Sequence, residues 1–237
     1  MTENTPGETV PGNARPTAPG WLEILAGGAA YAASFLLVAV LLPLVENVAV
    51  HGVVGLLVSG AMGLIAFAAA AAVRIRGLAA FGVRRAKPHH LLLAALLGLL
   101  AYLLGTVTAI VYMTVSGDMQ NVQTSYQAAA AAGRWSLALV FVAGVTITPL
   151  GEEAFFRGVL ANAVLARYRA WIAVLVSAAI FALAHGINPV LAAAFVVGVL
   201  AALLFRWSGS IWPGVVLHGV NNATALLVPL LAARAGV

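Results

Sequence analysis

The sequence predicts an all-α fold: a polytopic bundle of about seven transmembrane helices with its N-terminus in the cytoplasm. Three observations carry that prediction. Only 8% of the 237 residues are charged while 63% are hydrophobic, apolar runs recur at the length of a membrane span, and basic residues collect at alternate ends of those runs. A soluble domain carries about 25% charged residues because its surface faces water. With a mean hydropathy of +1.04, this chain has too few charges to coat a globule, so the lipid bilayer is the solvent for much of its surface. The net charge of +5 does not indicate a nucleic-acid partner, because the basic residues are scattered between apolar runs and read as topology determinants. Cysteine is absent, which removes disulfides and thiolate metal sites from consideration.

Residues 1–20 are polar and rich in Pro and Gly, without the apolar core of a signal peptide, and are expected to form a disordered tail. The rest reads as one integral domain, with helices over 21–115 preceding a segment at 134–233 that holds the unusual residues. Crossing about 30 Å of hydrocarbon takes about 20 residues. Runs of that order lie at 21–45, 52–73, 91–114, 135–166, 170–187, 189–205 and 210–233. The fourth is long and contains Pro149, which predicts a kink. Only a short turn, Gly186–Pro189, divides the fifth from the sixth. The loop after the second run holds Arg74, Arg76, Arg84, Arg85 and Lys87, which assigns it to the cytoplasm. Counting helices from there puts Arg167, Arg169 and Arg206 inside too. The 115–134 loop, with Asp118 and Arg134, falls outside, as does the C-terminus.

Glu3, Glu8, Glu23, Glu46 and Asp118 fall in water or at interfaces, but Glu152 and Glu153 are adjacent in the middle of the fourth run. Arg157 follows Glu153 by four residues, on the same helix face. His185 lies late in the fifth run, and His218 lies in the seventh with Asn222 one turn further. His51, His89 and His90 are assigned to loops. Along ideal helices, Glu152 lies roughly 22 Å from Arg167, His185 roughly 22 Å from Ala170, and His218 and Asn222 roughly 18 and 24 Å beyond Arg206. Three helices thus bring polar groups to one layer, near or slightly beyond the midplane.

Ionisable groups at the bilayer centre cost about 2.5–3.5 kcal/mol each on insertion scales, and they mark function. A structural ion pair accounts for Glu153 and Arg157, and a buried His or Asn can be interhelical glue. With one embedded base for two acids, however, one carboxylate has no cationic partner. A carboxylate withdrawn from water is a competent general base, and a neutral histidine beside it can help hold and deprotonate a water. A His and an Asn four residues apart on another helix can donate hydrogen bonds to a developing oxyanion. The set suits hydrolysis of an amide by an activated water. Glu152, His185 and His218 could instead hold a divalent metal, zinc first, that polarises the water. The metal-free arrangement, with no cofactor, is preferred because no two of these groups share a helix at i, i+4 spacing and Asn is a poor zinc ligand. Other designs are missing: there is no HExxH helix and no Asp within a run, and Ser208 and Ser210 sit in an ordinary turn. A small transporter would show an internal repeat with paired broken helices, and none is visible.

Glu152-Glu153-Ala-Phe-Phe-Arg157, Phe181-Ala-Leu-Ala-His185 and His218-Gly-Val-Asn-Asn222 resemble the EExxxR, FxxxH and HxxxN motifs of the CPBP family. That family comprises CAAX prenyl endopeptidases and bacterial bacteriocin-processing or immunity proteins, also called Abi proteins. The resemblance covers about residues 134–233, where Gly158 and Trp212-Pro213 fit as well. It implies an intramembrane endopeptidase of the bacterial cell membrane whose peptide or protein substrate enters from the membrane or the cytoplasmic side. Glu152 would be the base, His185 its aid, His218 and Asn222 the oxyanion site, with Glu153 and Arg157 supporting. A prenylated substrate does not follow, since many bacterial relatives process none. The family is often described as metalloproteases, yet eukaryote-like members look like metal-independent glutamate proteases, so the resemblance leaves the metal open. The rival from another class is a non-enzymatic membrane protein of the same fold that binds a peptide partner or confers immunity.

Overall fold

A computed structural model describes residues 18–236; residues 1–17, and with them most of the expected tail, lie outside the described residues. Among the described residues there is no strand. The helices are α1 (Trp21–Leu41), α2 (Val48–Val73), α3 (Pro88–Ser116), α4 (Thr124–Ala131), α5 (Arg134–Leu165), α6 (Ala170–Leu183), α7 (Pro189–Ser208) and α8 (Trp212–Ala235). Six of these, α1, α2, α3, α5, α7 and α8, are long and apolar enough to cross a bilayer. Leu25, Leu36, Leu37 and Val40 on α1, and Leu96, Leu103, Val107 and Val111 on α3, are exposed, as lipid-facing side chains are. The chain is an integral, multi-pass membrane protein.

The seventh expected span is the short one. α6 has 14 residues, a length of about 21 Å against the roughly 30 Å of a bilayer core. The run at 170–187 stops early because Gly186 takes a left-handed conformation (φ +82°), and Asn188 accepts a hydrogen bond from Val190 N (2.8 Å) to begin α7. His185 therefore sits in the turn after α6, within the bundle. The 115–134 loop contains a helix that the sequence did not announce, α4, and the histidines assigned to loops lie in helices, His51 in α2 and His89 and His90 in the first turn of α3.

The helix ends form two faces. One gathers the 19–21, 74–88, 166–170 and 206–212 segments, tied by Arg74 Nε to Glu23 (2.7 Å), Arg167 Nη1 to Pro19 O (2.8 Å) and Arg84 Nε to Gly209 O (2.6 Å). The other gathers the 42–47, 117–133 and 184–188 connections. At the first face the α7–α8 turn is drawn inward. Ile211 N donates to Gly82 O (3.0 Å), Ser210 Oγ donates to Arg84 O (2.7 Å), and Ser210, Ile211 and Phe81 are all buried. α8 thus begins deep in the bundle.

α5 is the central element. It packs on α2 through glycines, for a Cβ on Gly63 would fall on the backbone at Gly151, and a Cβ on Gly151 would fall on Gly60. Small residues that let backbones meet are the usual means of joining membrane helices. α1 packs on α2, and α3 on α7 and α8. The kink expected at Pro149 takes a specific form: the helix widens into π-type turns over Ala143–Ile147 and Ala154–Ala161, flanking the regular stretch Thr148–Glu153. Such turns recur at functional sites. Proline has no N–H to donate to a preceding carbonyl. The carbonyl five residues earlier, Gly144 O, instead accepts from Asn222 Nδ2 (2.9 Å).

Candidate active site

Glu152 is the penultimate residue of the regular stretch of α5, with its carboxylate buried, 2% exposed. Its Oε1 accepts a hydrogen bond from Ser59 Oγ of α2 (2.7 Å). Its Oε2 has no hydrogen-bond partner among the described residues. Instead, His185 Nε2 and His218 Nε2 each stand 3.9 Å from that oxygen. This is too long for a direct hydrogen bond. The structure thus brings Glu152, His185 and His218 around one point. His218 is only six residues into α8, and it meets Glu152 because the α7–α8 turn is sunk into the bundle.

The other ring nitrogens are tied down. His185 Nδ1 lies 2.9 Å from Phe181 O. A carbonyl only accepts, so Nδ1 directs a hydrogen at it, and Nε2 is the nitrogen that faces Glu152. His218 Nδ1 faces Glu153 Oε1 at 3.3 Å, again an acceptor. Phe181 packs edge-on against both imidazoles, with ring centroids 4.8 and 5.7 Å away, and so fixes their planes.

Glu153 points away from this point, into the protein. Its Oε1 is 3.0 Å from Arg157 Nη1, with both side chains buried. Arg157 also donates from Nη2 to Gly198 O (3.3 Å) and lies over the Phe181 ring at 4.3 Å. Glu153 Oε2 lies against Gly214, where a side chain would collide with it. That is the first turn of α8, whose unpaired N–H groups and dipole favour a negative charge. The two adjacent glutamates are therefore separated by environment: Glu153 in a closed ion pair, Glu152 on open space.

That space is a cavity of about 820 Å³. Glu152, His185 and His218 lie at its floor, and α1, α2, α3 and α7 contribute walls. Asn222 also lines it, but one of its N–H groups is committed to Gly144 O, and its Oδ1 accepts from Asn221 Nδ2 (3.1 Å). The remaining N–H is the part left for a ligand.

The donor set can be tested against zinc. Ligands at about 2.0–2.2 Å in a tetrahedron lie about 3.3–3.5 Å from one another, whereas the imidazole nitrogens stand 3.9 Å from Glu152 Oε2. Among the described residues no three His, Asp or Glu side chains are placed to hold a metal ion. As arranged, the three groups fit a metal poorly.

Ser59, in the 52–73 run, is not among the site residues expected from the sequence. Its signal was a hydroxyl in the middle of an apolar run beside the glycines that bring α2 against α5. Ser208 and Ser210 make turn hydrogen bonds, to Leu204 O and Arg84 O. His89 and His90 pack at a tilt against Trp207 at the basic face, with ring centroids 5.6 and 4.2 Å away.

No curated protein and no solved structure matches the chain. A family model does match: residues 134–224, which hold Glu152, His185, His218 and Asn222, are matched by the model described as Type II CAAX prenyl endopeptidase Rce1-like. The match falls on the site-bearing segment, and it is to the CPBP family that the three motifs resemble.

Proposed function

We propose that the chain is an intramembrane endopeptidase in which Glu152 and His185 activate a water and His218 and Asn222 receive the oxyanion. The observation that carries this reading is the buried, partnerless Glu152 Oε2 faced by two imidazole nitrogens at 3.9 Å. A water about 2.8 Å from both Glu152 Oε2 and His185 Nε2 sees them at about 90°, close to the angle between its own two hydrogens. It would donate to both and turn its lone pair toward a carbonyl carbon.

In the reaction the water oxygen bonds to the scissile carbonyl carbon and its proton passes to Glu152. The carbonyl electron pair moves onto oxygen, where His218 and the free Asn222 N–H stabilise it. Glu152 then returns the proton to the amide nitrogen as the C–N bond breaks, giving a new carboxyl end and a new amino end. For His218 to donate from Nε2 while Nδ1 faces Glu153, the ring must carry both hydrogens. Glu153 and Arg157 position His218 and do not touch the substrate. No metal enters the scheme.

The test compares the peptides of membranes carrying the wild type with those carrying Glu152→Gln. At least one polypeptide should be cleaved only by the wild type. Identical peptide sets, with both proteins inserted at equal levels, would support a peptide-binding role instead.

A further inference from the structure

We infer that the substrate is an uncharged, largely apolar stretch of polypeptide offered from the non-cytoplasmic side of the membrane, where the family resemblance implies entry from the membrane or the cytoplasmic side. This rests on the protease reading above and adds the side and the chemistry of what is cleaved.

The side follows from two independent features, the direction of the cavity and the distribution of charge. α1 lines the cavity from Tyr31 onward, α2 up to Met62 and α3 from Tyr102 onward, so each lining begins about 15 Å or more from the 74–88 end of the bundle. The mouth lies at the other end, among Pro43, Gln120, Asn121, Gln123 and Asn188. Toward the 74–88 face the floor is closed by Phe81, Phe155, Phe156 and Val159, all buried. That closed face carries Arg74, Arg76, Arg84, Arg85, Lys87, Arg167, Arg169 and Arg206, whereas Arg134 lies at a helix end around the mouth. Basic residues in short loops mark the cytoplasmic side. The catalytic cavity therefore opens away from the cytoplasm.

The chemistry follows from the lining. Among the described residues that line the cavity, Glu152 is the one Asp, Glu, Lys or Arg. Carboxylates and phosphates are held by Arg or Lys, and neither lines this space; of the lining histidines, His185 and His218 face Glu152, which leaves His51, so a C-terminal carboxylate meets no fixed counter-charge there. A charged side chain would be desolvated without a partner, at high cost. What the lining offers is apolar wall, from Tyr31, Phe35, Leu42 and Met113, and a mouth of carboxamides suited to a peptide backbone. An apolar segment cut inside the chain fits it, near the outer end of a membrane-anchored or exported polypeptide.

The absence of native cysteine makes the test direct. Gln120→Cys at the mouth and Arg85→Cys on the basic face would be made in the full chain and expressed in bacterial spheroplasts. A membrane-impermeant maleimide should label Gln120→Cys in intact spheroplasts and Arg85→Cys only in inverted vesicles. The substrate arm adds an impermeant, internally quenched library of uncharged peptides to each preparation of the wild type. Turnover is expected in spheroplasts and not in sealed inverted vesicles. Placing Lys or Asp on both sides of the cut bond should lower turnover at least tenfold. The reverse labelling, or turnover confined to inverted vesicles, overturns the inference while leaving the protease reading intact. Equal turnover of the charged peptides overturns the substrate class. Turnover in neither preparation, and none in detergent, overturns both.

Discussion

Arg157 is the most deeply committed charge in the molecule, and its removal has a predictable cost. Arg157→Met keeps an unbranched stem but deletes the guanidinium that stands 3.0 Å from Glu153 Oε1. Glu153 is 0% exposed, and its one remaining close polar partner is His218 Nδ1 at 3.3 Å. Breaking a buried pair from one side costs about 3–5 kcal/mol because a charge is stranded. Losing the cation–π contact over Phe181, 4.3 Å from the ring centroid, adds about 1–2 kcal/mol. His218 offsets part of this, so a net loss of about 4 kcal/mol is expected, a fall in Tm on the order of 10 °C for a chain of this size. The double variant Glu153→Gln/Arg157→Met removes both charges and should recover at least half of the loss. Thermal unfolding of detergent-purified protein measures each arm. A single variant within about 2 °C of wild type, or a double variant no better than the single, would refute the stranded-charge argument.

Three further outcomes are expected. Ser59→Ala removes a hydrogen bond to a buried carboxylate, worth about 1.5–3 kcal/mol, so Tm should fall by about 3–12 °C and kcat should fall as the Glu152 carboxylate loses its orientation; an unchanged Tm and kcat would leave Ser59 without a role at Glu152. Gly151→Ala drives a methyl into the Gly60 backbone, whereas a Cβ on Gly28 meets nothing within 4 Å. The first should therefore abolish the monodisperse peak on size exclusion and the second should not, and equal behaviour would contradict the α2–α5 packing described. Purified protein should keep its activity after exhaustive treatment with phenanthroline, and loss restored only by zinc would contradict the metal-free scheme.

The layer that holds the site was legible in the sequence because embedded charge is so costly that Glu152, Glu153 and Arg157 stand out against any apolar run. Membrane spans were legible for the same reason, since the length of an apolar run is set by bilayer thickness. Less visible was anything decided by how helices end. α6 stops at Leu183 through the left-handed Gly186 and the Asn188 cap, which hydropathy does not register. The inward pull on the Gly209–Ile211 turn depends on hydrogen bonds to a loop over a hundred residues away, and no local pattern encodes it. Asn222 illustrates a double use: the spacing from His218 suggested an oxyanion donor, while the structure also has it satisfy the Gly144 carbonyl that Pro149 cannot reach. Direction of opening was invisible as well, because it depends on where α1 and α3 stand apart.

The central claim is that one of two adjacent glutamates performs the chemistry and the other holds the fold. The most direct measurement is the cleavage rate of purified, reconstituted full-length chain carrying Glu152→Gln beside Glu153→Gln, each with its thermal scan, on the peptide found by membrane comparison. Glu152→Gln should lower kcat by at least about 100-fold, as loss of a general base does, with Tm close to wild type. Glu153→Gln should lower Tm instead, leaving measurable turnover in the fraction that stays folded. Full cleavage activity in Glu152→Gln, with the protein folded, would contradict the account.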